Sequence, residues 1–194
     1  MIRIGKKMIA GPATVIATVC DLIADGDLVA AKALLTASYP HVGASTPRKA
    51  WPLRRLVAVF VRDGFTDRYF GARLVFPGTL RALSLLMPDA FPYHRNWKQD
   101  VTHRAFWELY PTIDHVVPAA HRGMDDESND VTTSMLMNGA QSNWLLEKLA
   151  WPIERAPVAQ EWHGLLAWFM AAWETHAVLR QNATLRRWHA AISI

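Results

Sequence analysis

The sequence predicts an α+β protein, and three observations lead to that class. Apolar residues recur at helical spacing near both ends of the chain. Between the two ends, runs of β-branched and alternating apolar residues are typical of short strands. The chain has 194 residues, of which 51% are hydrophobic and 20% charged, so one ordinary domain with an appendage can bury a core.

Residues 1–50 are predicted to form an N-terminal helical extension. Gly11-Pro12 opens a helical pattern that stops at Gly26, and Asp27 can cap a second helix that runs to Tyr39-Pro40. The two helices form an α-hairpin in this interpretation. Residues 41–52 are rich in Gly, Ser, Thr, Pro and basic side chains, which predicts a linker and a boundary near residue 50.

Residues 51–152 are predicted to form the core. A β-hairpin is expected over 56–76, because the β-branched run at 56–60 and the alternation at 69–76 flank turn residues at 62–64. The elements expected after it are a helix at 79–87, a helical turn within 103–109, a strand at 113–117, a polar loop at 119–130 and a helix at about 132–149.

Residues 153–194 are predicted to be a helical region that packs on the core. Trp162, Leu166, Phe169 and Trp173 recur there at the spacing of a buried helix face. The chain has nine tryptophans, and those after residue 144 are expected to pack helices on the core rather than to stack on nucleic-acid bases.

The cysteine count and the hydropathy restrict the class of protein. Cys20 is the only cysteine, which excludes an internal disulfide and a four-cysteine zinc site and is typical of a reducing compartment. No apolar run reaches the roughly 18 residues that a membrane span needs, so no membrane partner is expected and the predicted location is cytoplasmic.

The net charge of +4 is unevenly distributed. Residues 1–73 carry 11 Lys or Arg and 5 Asp or Glu, whereas residues 74–194 carry 10 and 12. A local basic surplus can neutralise phosphates, and salt bridging with the acidic half is the alternative interpretation. The residues predicted to contact nucleic-acid phosphates are Arg54, Arg55, Arg62, Arg68 and Arg73.

The most informative segment for chemistry reads Ile113-Asp114-His115-Val116-Val117-Pro118. On a strand, Asp114 and His115 point to opposite sides, so one can hold a metal while the other approaches the same phosphate. Asn129 follows His115 by 14 residues, and Asn138 follows Asn129 by 9. A helix after Asn129 can return Asn138 to complete the oxygen ligands of the metal.

These residues resemble the HNH motif of the ββα-metal nucleases, a family that includes colicin nucleases, restriction and homing endonucleases and the HNH domain of CRISPR effector nucleases. The Asp-His-x-x-Pro sequence and both asparagine intervals match, and the CRISPR version also ends in Asn. A second family signature, Arg-Asp-Gly-(Phe/Tyr)-x-Cys-x-Tyr-Cys-Gly, matches residues 62–71 except at its two cysteines. The resemblance covers about residues 56–149 and implies a ββα-metal nuclease core.

Four positions where many relatives carry zinc-binding cysteines hold other residues in this chain. They are Asp67, Phe70, Ser134 and Met137. Because all four cysteines are replaced together, the resemblance implies a protein without structural zinc, in which side-chain packing takes the place of the metal.

The resemblance also implies a role for each motif residue. His115 is the general base that takes a proton from water, because an imidazole exchanges protons near neutral pH. Asp114 and Asn138 hold one divalent ion, and their hard oxygen ligands favour Mg²⁺ or Mn²⁺. Asn129 orients His115 or the phosphate. The expected reaction is hydrolysis of DNA that leaves 5′-phosphate and 3′-hydroxyl ends.

Several alternatives stay open from the sequence. Gln141, in the position of the family's usual Lys, and Asn143 are candidates for contact with the nucleic-acid backbone. The acidic run Asp125-Asp126-Glu127 is interpreted as a solvated loop rather than a second metal site. A non-cleaving DNA-binding or partner-docking module on the same fold is the alternative function. The motif does not distinguish DNA from RNA, nor a monomer from a homodimer.

Overall fold

The computed structural model describes residues 12–40, 51–154 and 162–193. The chain divides into two compact units, Met1–Ser45 and Thr46–Ile194. The described residues combine helices with a two-stranded antiparallel sheet, so the predicted α+β class is confirmed at that level. The linker predicted at 41–52 lies largely outside the described residues, since only 51 and 52 belong to them.

Twelve helices and strands follow one another in the described ranges. In chain order they are α1 (Pro12–Ala24), α2 (Leu28–Ser38), α3 (Leu53–Arg62), α4 (Pro77–Leu86), α5 (Ala105–Glu108), β1 (Pro111–His115), β2 (Asp130–Ser134), α6 (Met135–Gln141), α7 (Leu146–Leu149), α8 (Leu166–Thr175), α9 (Ala177–Gln181) and α10 (Ala183–Ile192). Short 3-10 turns occur at Gln99–Val101 and Ala119–His121. In the parts of the chain that are described, no helix is both long and apolar enough to cross a membrane.

The first unit contains the predicted α-hairpin. Helices α1 and α2 pack against each other, and Gly26 between them adopts a left-handed φ of 81°. The Asp27 carboxylate accepts a hydrogen bond of 2.9 Å from the backbone N–H of Ala30, which satisfies one of the unpaired donors at the start of α2. The two helices and their cap are therefore confirmed.

The β-hairpin predicted over 56–76 is wrong in its first half, which is helix α3. Leu53, Leu56, Val57 and Phe60 recur at intervals of three and four, so they share one helix face that packs into the main core. Burial of that face outweighs the strand preference of the β-branched residues. In the second half, residues 63–76, the backbone pairing that is seen is one isolated antiparallel bridge between Thr66 and Arg73.

The sheet positions the motif residues. The predicted strand at 113–117 lies two residues earlier, because β1 ends at His115. Its partner β2 was not expected, since residues 132–149 were predicted to be one helix. Thr132 and Thr133 are instead fully buried in β2, where β-branched side chains pack well, and Ser142 interrupts the helix with a φ of 51°.

Helix α6 begins directly after β2. The Ser134 hydroxyl accepts a hydrogen bond of 3.1 Å from the Met137 backbone N–H, which caps the helix at its first turn. In register, Pro111 pairs with Ser134 and His115 pairs with Asp130. The end of β1 that carries His115 therefore lies beside the start of β2, and the start of β1 lies beside the start of α6.

The C-terminal helices pack on the core as predicted. Phe76 lies edge-on to Phe169 and Trp188, with ring centroids 5.2 and 5.5 Å apart. Helix α10 contacts α3 and α4, and α8 contacts α4. Trp173 and Trp188 are buried, which confirms packing rather than base stacking for these two tryptophans.

Candidate active site

The four motif residues lie on consecutive elements around the sheet. Asp114 and His115 are the last residues of β1, Asn129 immediately precedes β2, and Asn138 lies in α6. The Asn138 side-chain amide donates a hydrogen bond of 3.0 Å to the Ile113 carbonyl oxygen, so α6 is fixed against the strand next to Asp114. The strand, loop, strand and helix thus place the four residues on or directly next to the two-stranded sheet.

Asp114 is buried, and both of its carboxylate oxygens have partners. Oδ2 accepts a hydrogen bond of 2.9 Å from the Tyr69 hydroxyl, and Oδ1 accepts one of 2.9 Å from the His115 backbone N–H. Burial, together with the negative charge of Asp114, raises the pKa of Tyr69 well above its ordinary value. Tyr69 therefore remains a neutral donor that orients the Asp114 side chain.

His115 is held through its backbone and leaves its ring half-buried. Its carbonyl oxygen accepts a hydrogen bond of 3.3 Å from the Gln141 side-chain amide. The side chain is 27% exposed, and Nε2 lies 3.6 Å from carboxylate oxygens of Asp125 and Asp130. The Trp51 ring is also nearby, with ring centroids 6.4 Å apart. The ring thus faces both water and two carboxylates.

Asn129 is buried and closes the loop between the strands. Its Oδ1 accepts a hydrogen bond of 2.8 Å from the Val117 backbone N–H, and its Nδ2 donates to the carbonyl oxygens of Val117 and Met124 at 2.9 and 2.8 Å. A Cβ at Gly123 would collide with the Val117 carbonyl, so the loop needs glycine there. Asn129 therefore fixes the backbone that follows His115.

Gln141 is buried and not exposed, as a residue that contacts phosphate would be. Its side chain is fully buried, and Nε2 supports the His115 carbonyl. Its Oε1 has no hydrogen-bond partner among the described residues. Gln141 thus acts on the backbone of the site. Asn143 is exposed, and its carbonyl oxygen lies 3.0 Å from Nε2 of His121.

Three of the five predicted phosphate-binding arginines are paired inside the protein. Arg55 forms a salt bridge of 2.7 Å with Asp130 and stacks on Trp51, with its guanidinium carbon 3.5 Å from the ring centroid. Arg62 and Arg68 each bond to Asp63 at 3.0 Å. The alternative interpretation, salt bridging with the acidic half, holds for Arg55, whereas Arg62 and Arg68 pair with a carboxylate of the basic half.

The other two arginines face outward. Arg73 is exposed and lies over the Trp162 ring at 5.4 Å. Arg54 is exposed, and no polar partner of its side chain is found in the described ranges. Of the five predicted phosphate contacts, Arg54 and Arg73 are therefore the side chains that a nucleic-acid backbone can reach.

Asp63 ties the turn after α3 to the sheet. Its Oδ2 accepts a hydrogen bond of 2.8 Å from the Thr132 backbone N–H in β2. Burial alone would raise the pKa of Asp63, but the hydrogen bonds from Arg62 and Thr132 outweigh burial and hold that pKa below its usual range. The Arg-Asp-Gly segment therefore serves as an anchor for β2.

The four positions that the resemblance matches to zinc-binding cysteines are connected by hydrogen bonds around Asp67. Oδ1 of Asp67 accepts hydrogen bonds from the backbone N–H groups of Tyr69 and Phe70 at 2.9 and 3.1 Å. Oδ2 accepts one of 2.7 Å from the Thr133 hydroxyl and one of 2.9 Å from the Ser134 N–H. The buried Asp67 carboxylate thus joins the loop after α3 to the start of α6.

Apolar packing completes this junction. Phe70 lies edge-on to Trp151 with ring centroids 5.2 Å apart. Met137 packs on a cluster built around Tyr69 and Leu146. Apolar contacts and the hydrogen bonds of Asp67 therefore connect these positions.

Replacement of Asp67 by alanine is expected to lower the free energy of unfolding by about 3 kcal/mol, because it leaves buried N–H and O–H donors without an acceptor. Urea unfolding of the wild type and the variant measures the difference. Asp89, an exposed carboxylate, provides the matched control, and Asp89→Ala is expected to change the stability by less than about 0.5 kcal/mol. Equal stability of Asp67→Ala and the wild type would contradict the assigned role.

Sequence reasoning missed Trp51 and Asp130. Asp130 was assigned to the end of a loop, although it pairs with His115 once β2 is recognised. The run Val131-Thr132-Thr133, with its three β-branched residues, was the available signal for that strand.

Comparisons with known proteins add no relative to this picture. No protein-family model, curated protein or solved structure matches the chain. Within residues 12–40, 51–154 and 162–193, no three His, Cys, Asp or Glu side chains form a group that could hold a metal ion. The function is therefore inferred from the site itself.

Proposed function

We propose that the protein is a divalent-metal-dependent endonuclease of the ββα-metal (HNH) type that hydrolyses DNA phosphodiester bonds. One observation carries this proposal. Asp114 and His115 end a strand that is followed by a loop closed by Asn129, an antiparallel strand and a helix whose Asn138 returns to the first strand. This order of elements supports the proposal, because the resemblance implies strands and a helix that carry the motif residues in the same succession.

The junction around Asp67 supports the same proposal independently. Hydrogen bonds and apolar contacts bring together two pairs of positions that are far apart in the sequence. One pair is 67 and 70, and the other is 134 and 137. The resemblance implies that these positions lie close together, because many HNH nucleases bind a zinc ion with cysteines at the corresponding positions. A chance match of the Arg-Asp-Gly segment would give no reason for this proximity.

The oxygen donors near the end of β1 fit a hard divalent ion. Asp114 supplies a carboxylate, and Asn138, whose Nδ2 donates to the Ile113 carbonyl, supplies an amide oxygen. Mg²⁺ is usually held by one or two carboxylates together with water and substrate phosphate, so a site without three acidic ligands suits it. When bound, Mg²⁺ or Mn²⁺ supplies positive charge that neutralises the scissile phosphate and the departing oxygen.

The residues of the chain divide the remaining work. His115 accepts the proton of the attacking water, because its ring is the half-exposed base at the end of β1. Asn129 and Gln141 hold the backbone on either side of that ring, so the imidazole stays aligned with the phosphate. Attack by water on phosphorus with departure of the 3′ oxygen leaves 5′-phosphate and 3′-hydroxyl ends.

A supercoiled-plasmid assay tests the metal-dependent reaction. Nicked or linear DNA is expected with Mg²⁺ or Mn²⁺, and none with EDTA. The products should rejoin with DNA ligase without end treatment, because that enzyme requires a 5′-phosphate and a 3′-hydroxyl. Undiminished cutting in EDTA would overturn the proposed mechanism. A parallel assay with RNA separates the two substrates, and DNA binding without cleavage in any metal would favour the docking-module alternative.

A further inference from the structure

Asp130 is a buried charged residue next to the proposed active site, and the proposed mechanism gives it no role. Its side chain is 0% exposed. Oδ2 accepts a hydrogen bond of 2.7 Å from Arg55, and the backbone carbonyl accepts one of 2.6 Å from Arg62. Oδ1 has no hydrogen-bond partner in the described part of the chain, and it lies 3.6 Å from Nε2 of His115.

An unpartnered buried carboxylate oxygen is unfavourable, so its direction requires a physical reason. The imidazole of His115 is the polar group that Oδ1 of Asp130 approaches. The separation of 3.6 Å exceeds a hydrogen bond, but the half-exposed imidazole can rotate to close it. Arg55 keeps the other oxygen occupied and, by stacking on Trp51, fixes the orientation of the carboxylate.

Asp125 lies at the same distance from Nε2 but in a different environment. Its side chain is 55% exposed and belongs to the loop between the strands. Water screens an exposed carboxylate, and loop motion changes its distance from the ring. Asp130 is held by two arginines inside the protein, so it is the better-defined acceptor.

We infer that Asp130 is the positioning residue of His115, with Oδ1 holding the proton on Nε2 so that Nδ1 is the nitrogen that takes the proton from water. The inference rests on the proposed nuclease function for its role in catalysis. The arrangement of Asp130 and the His115 imidazole can be tested whether or not the protein cleaves nucleic acid. Among the described residues the contacts of His115 involve its backbone and Nε2, which leaves Nδ1 as the ring nitrogen available to water.

The Asp130→Asn variant reverses the polarity of this contact. Arg55 carries only donors, so it will keep the amide oxygen of the new side chain. The amide NH₂ then faces Nε2 and favours a ring without a proton there. The neutral imidazole should consequently carry its proton on Nδ1, which removes the base from the side that faces water.

Nitrogen-15 NMR of the His115 ring, at a pH where it is neutral, measures this directly. The wild type is expected to show the Nε2–H tautomer, Asp130→Asn is expected to move the population toward Nδ1–H, and the matched control Asp125→Asn is expected to keep the wild-type pattern. A predominant Nδ1–H tautomer in the wild type would overturn the inference even if the variant does not fold. So would a folded Asp130→Asn protein with unchanged ring shifts.

Plasmid cleavage gives the second readout. Asp130→Asn should lower kcat by about 10- to 100-fold with an unchanged KM, as expected for loss of a residue that orients a catalytic group. Asp125→Asn should stay within about twofold of the wild type. A rise in KM with unchanged kcat would contradict positioning of the base. If the wild type shows the Nε2–H tautomer and cuts no nucleic acid, the nuclease proposal fails while the pairing of Asp130 with His115 stands.

Discussion

His115→Ala is expected to reduce the rate of plasmid cleavage in Mg²⁺ by about 10²- to 10⁴-fold, the range that a positioned general base contributes. The substitution removes the half-exposed ring at the end of β1 and leaves the backbone bonds to Asp114 and Gln141 in place. Initial rates of loss of supercoiled plasmid, measured at saturating metal, give the ratio. The unfolding midpoint of the variant, measured in parallel, verifies that it is folded under the assay conditions.

His163→Ala is the matched control for that measurement. His163 is exposed, lies outside the motif, and its backbone carbonyl rather than its ring takes part in the turn before α8. The control should cleave at the wild-type rate. Undiminished cutting by His115→Ala, purified in the same way, would show that another group activates the water or that the activity comes from a different protein.

The existence of β1 could be predicted from the sequence because its information is local. Ile113 and Val116 favour a strand, and Pro118 stops it, so Asp114 and His115 were placed correctly on a strand, although that strand begins and ends two residues earlier than predicted. The α-hairpin was predictable for the same reason, since Gly26 and Asp27 are short-range signals for the end of one helix and the start of the next.

The strand β2 and the helix α3 were not predictable in this way. Thr132 and Thr133 form a strand because β1 pairs with them, and residues 53–62 form a helix because their apolar face packs into the core. Both outcomes depend on partners that are distant in the sequence. Local propensity is weaker than such tertiary burial.

The environment of the site depends on distant partners even more strongly. The pairing of Arg55 with Asp130 joins residues 75 positions apart, and that of Asp63 with Thr132 joins residues 69 apart. A count of positive charges recognises a basic cluster, but it cannot show which guanidinium groups already have carboxylate partners. The charge surplus therefore predicted more accessible arginines than the fold provides.

Introduction of cysteine at positions 67, 70, 134 and 137 together is expected to create a zinc site. The substitutions Asp67→Cys, Phe70→Cys, Ser134→Cys and Met137→Cys give two Cys-x-x-Cys pairs, the spacing of structural zinc ligands. The bond of 2.9 Å from the Ser134 N–H to Asp67 shows that the two pairs already adjoin. One zinc ion per chain by elemental analysis is the expected result, with tetrahedral thiolate absorption after exchange for Co²⁺.

The variant that keeps Asp67 and carries the other three cysteines is the control, and it should bind zinc more weakly because a thiolate ligand is missing. In the complete variant, zinc should also raise the unfolding midpoint, since a structural site of this kind contributes about 10–16 kcal/mol of apparent binding energy in small domains. A zinc content no higher than that of the wild type would contradict the correspondence between these positions and the zinc-binding cysteines of HNH nucleases. The result does not depend on cleavage, so it tests the family resemblance even if the protein proves to bind DNA without cutting it.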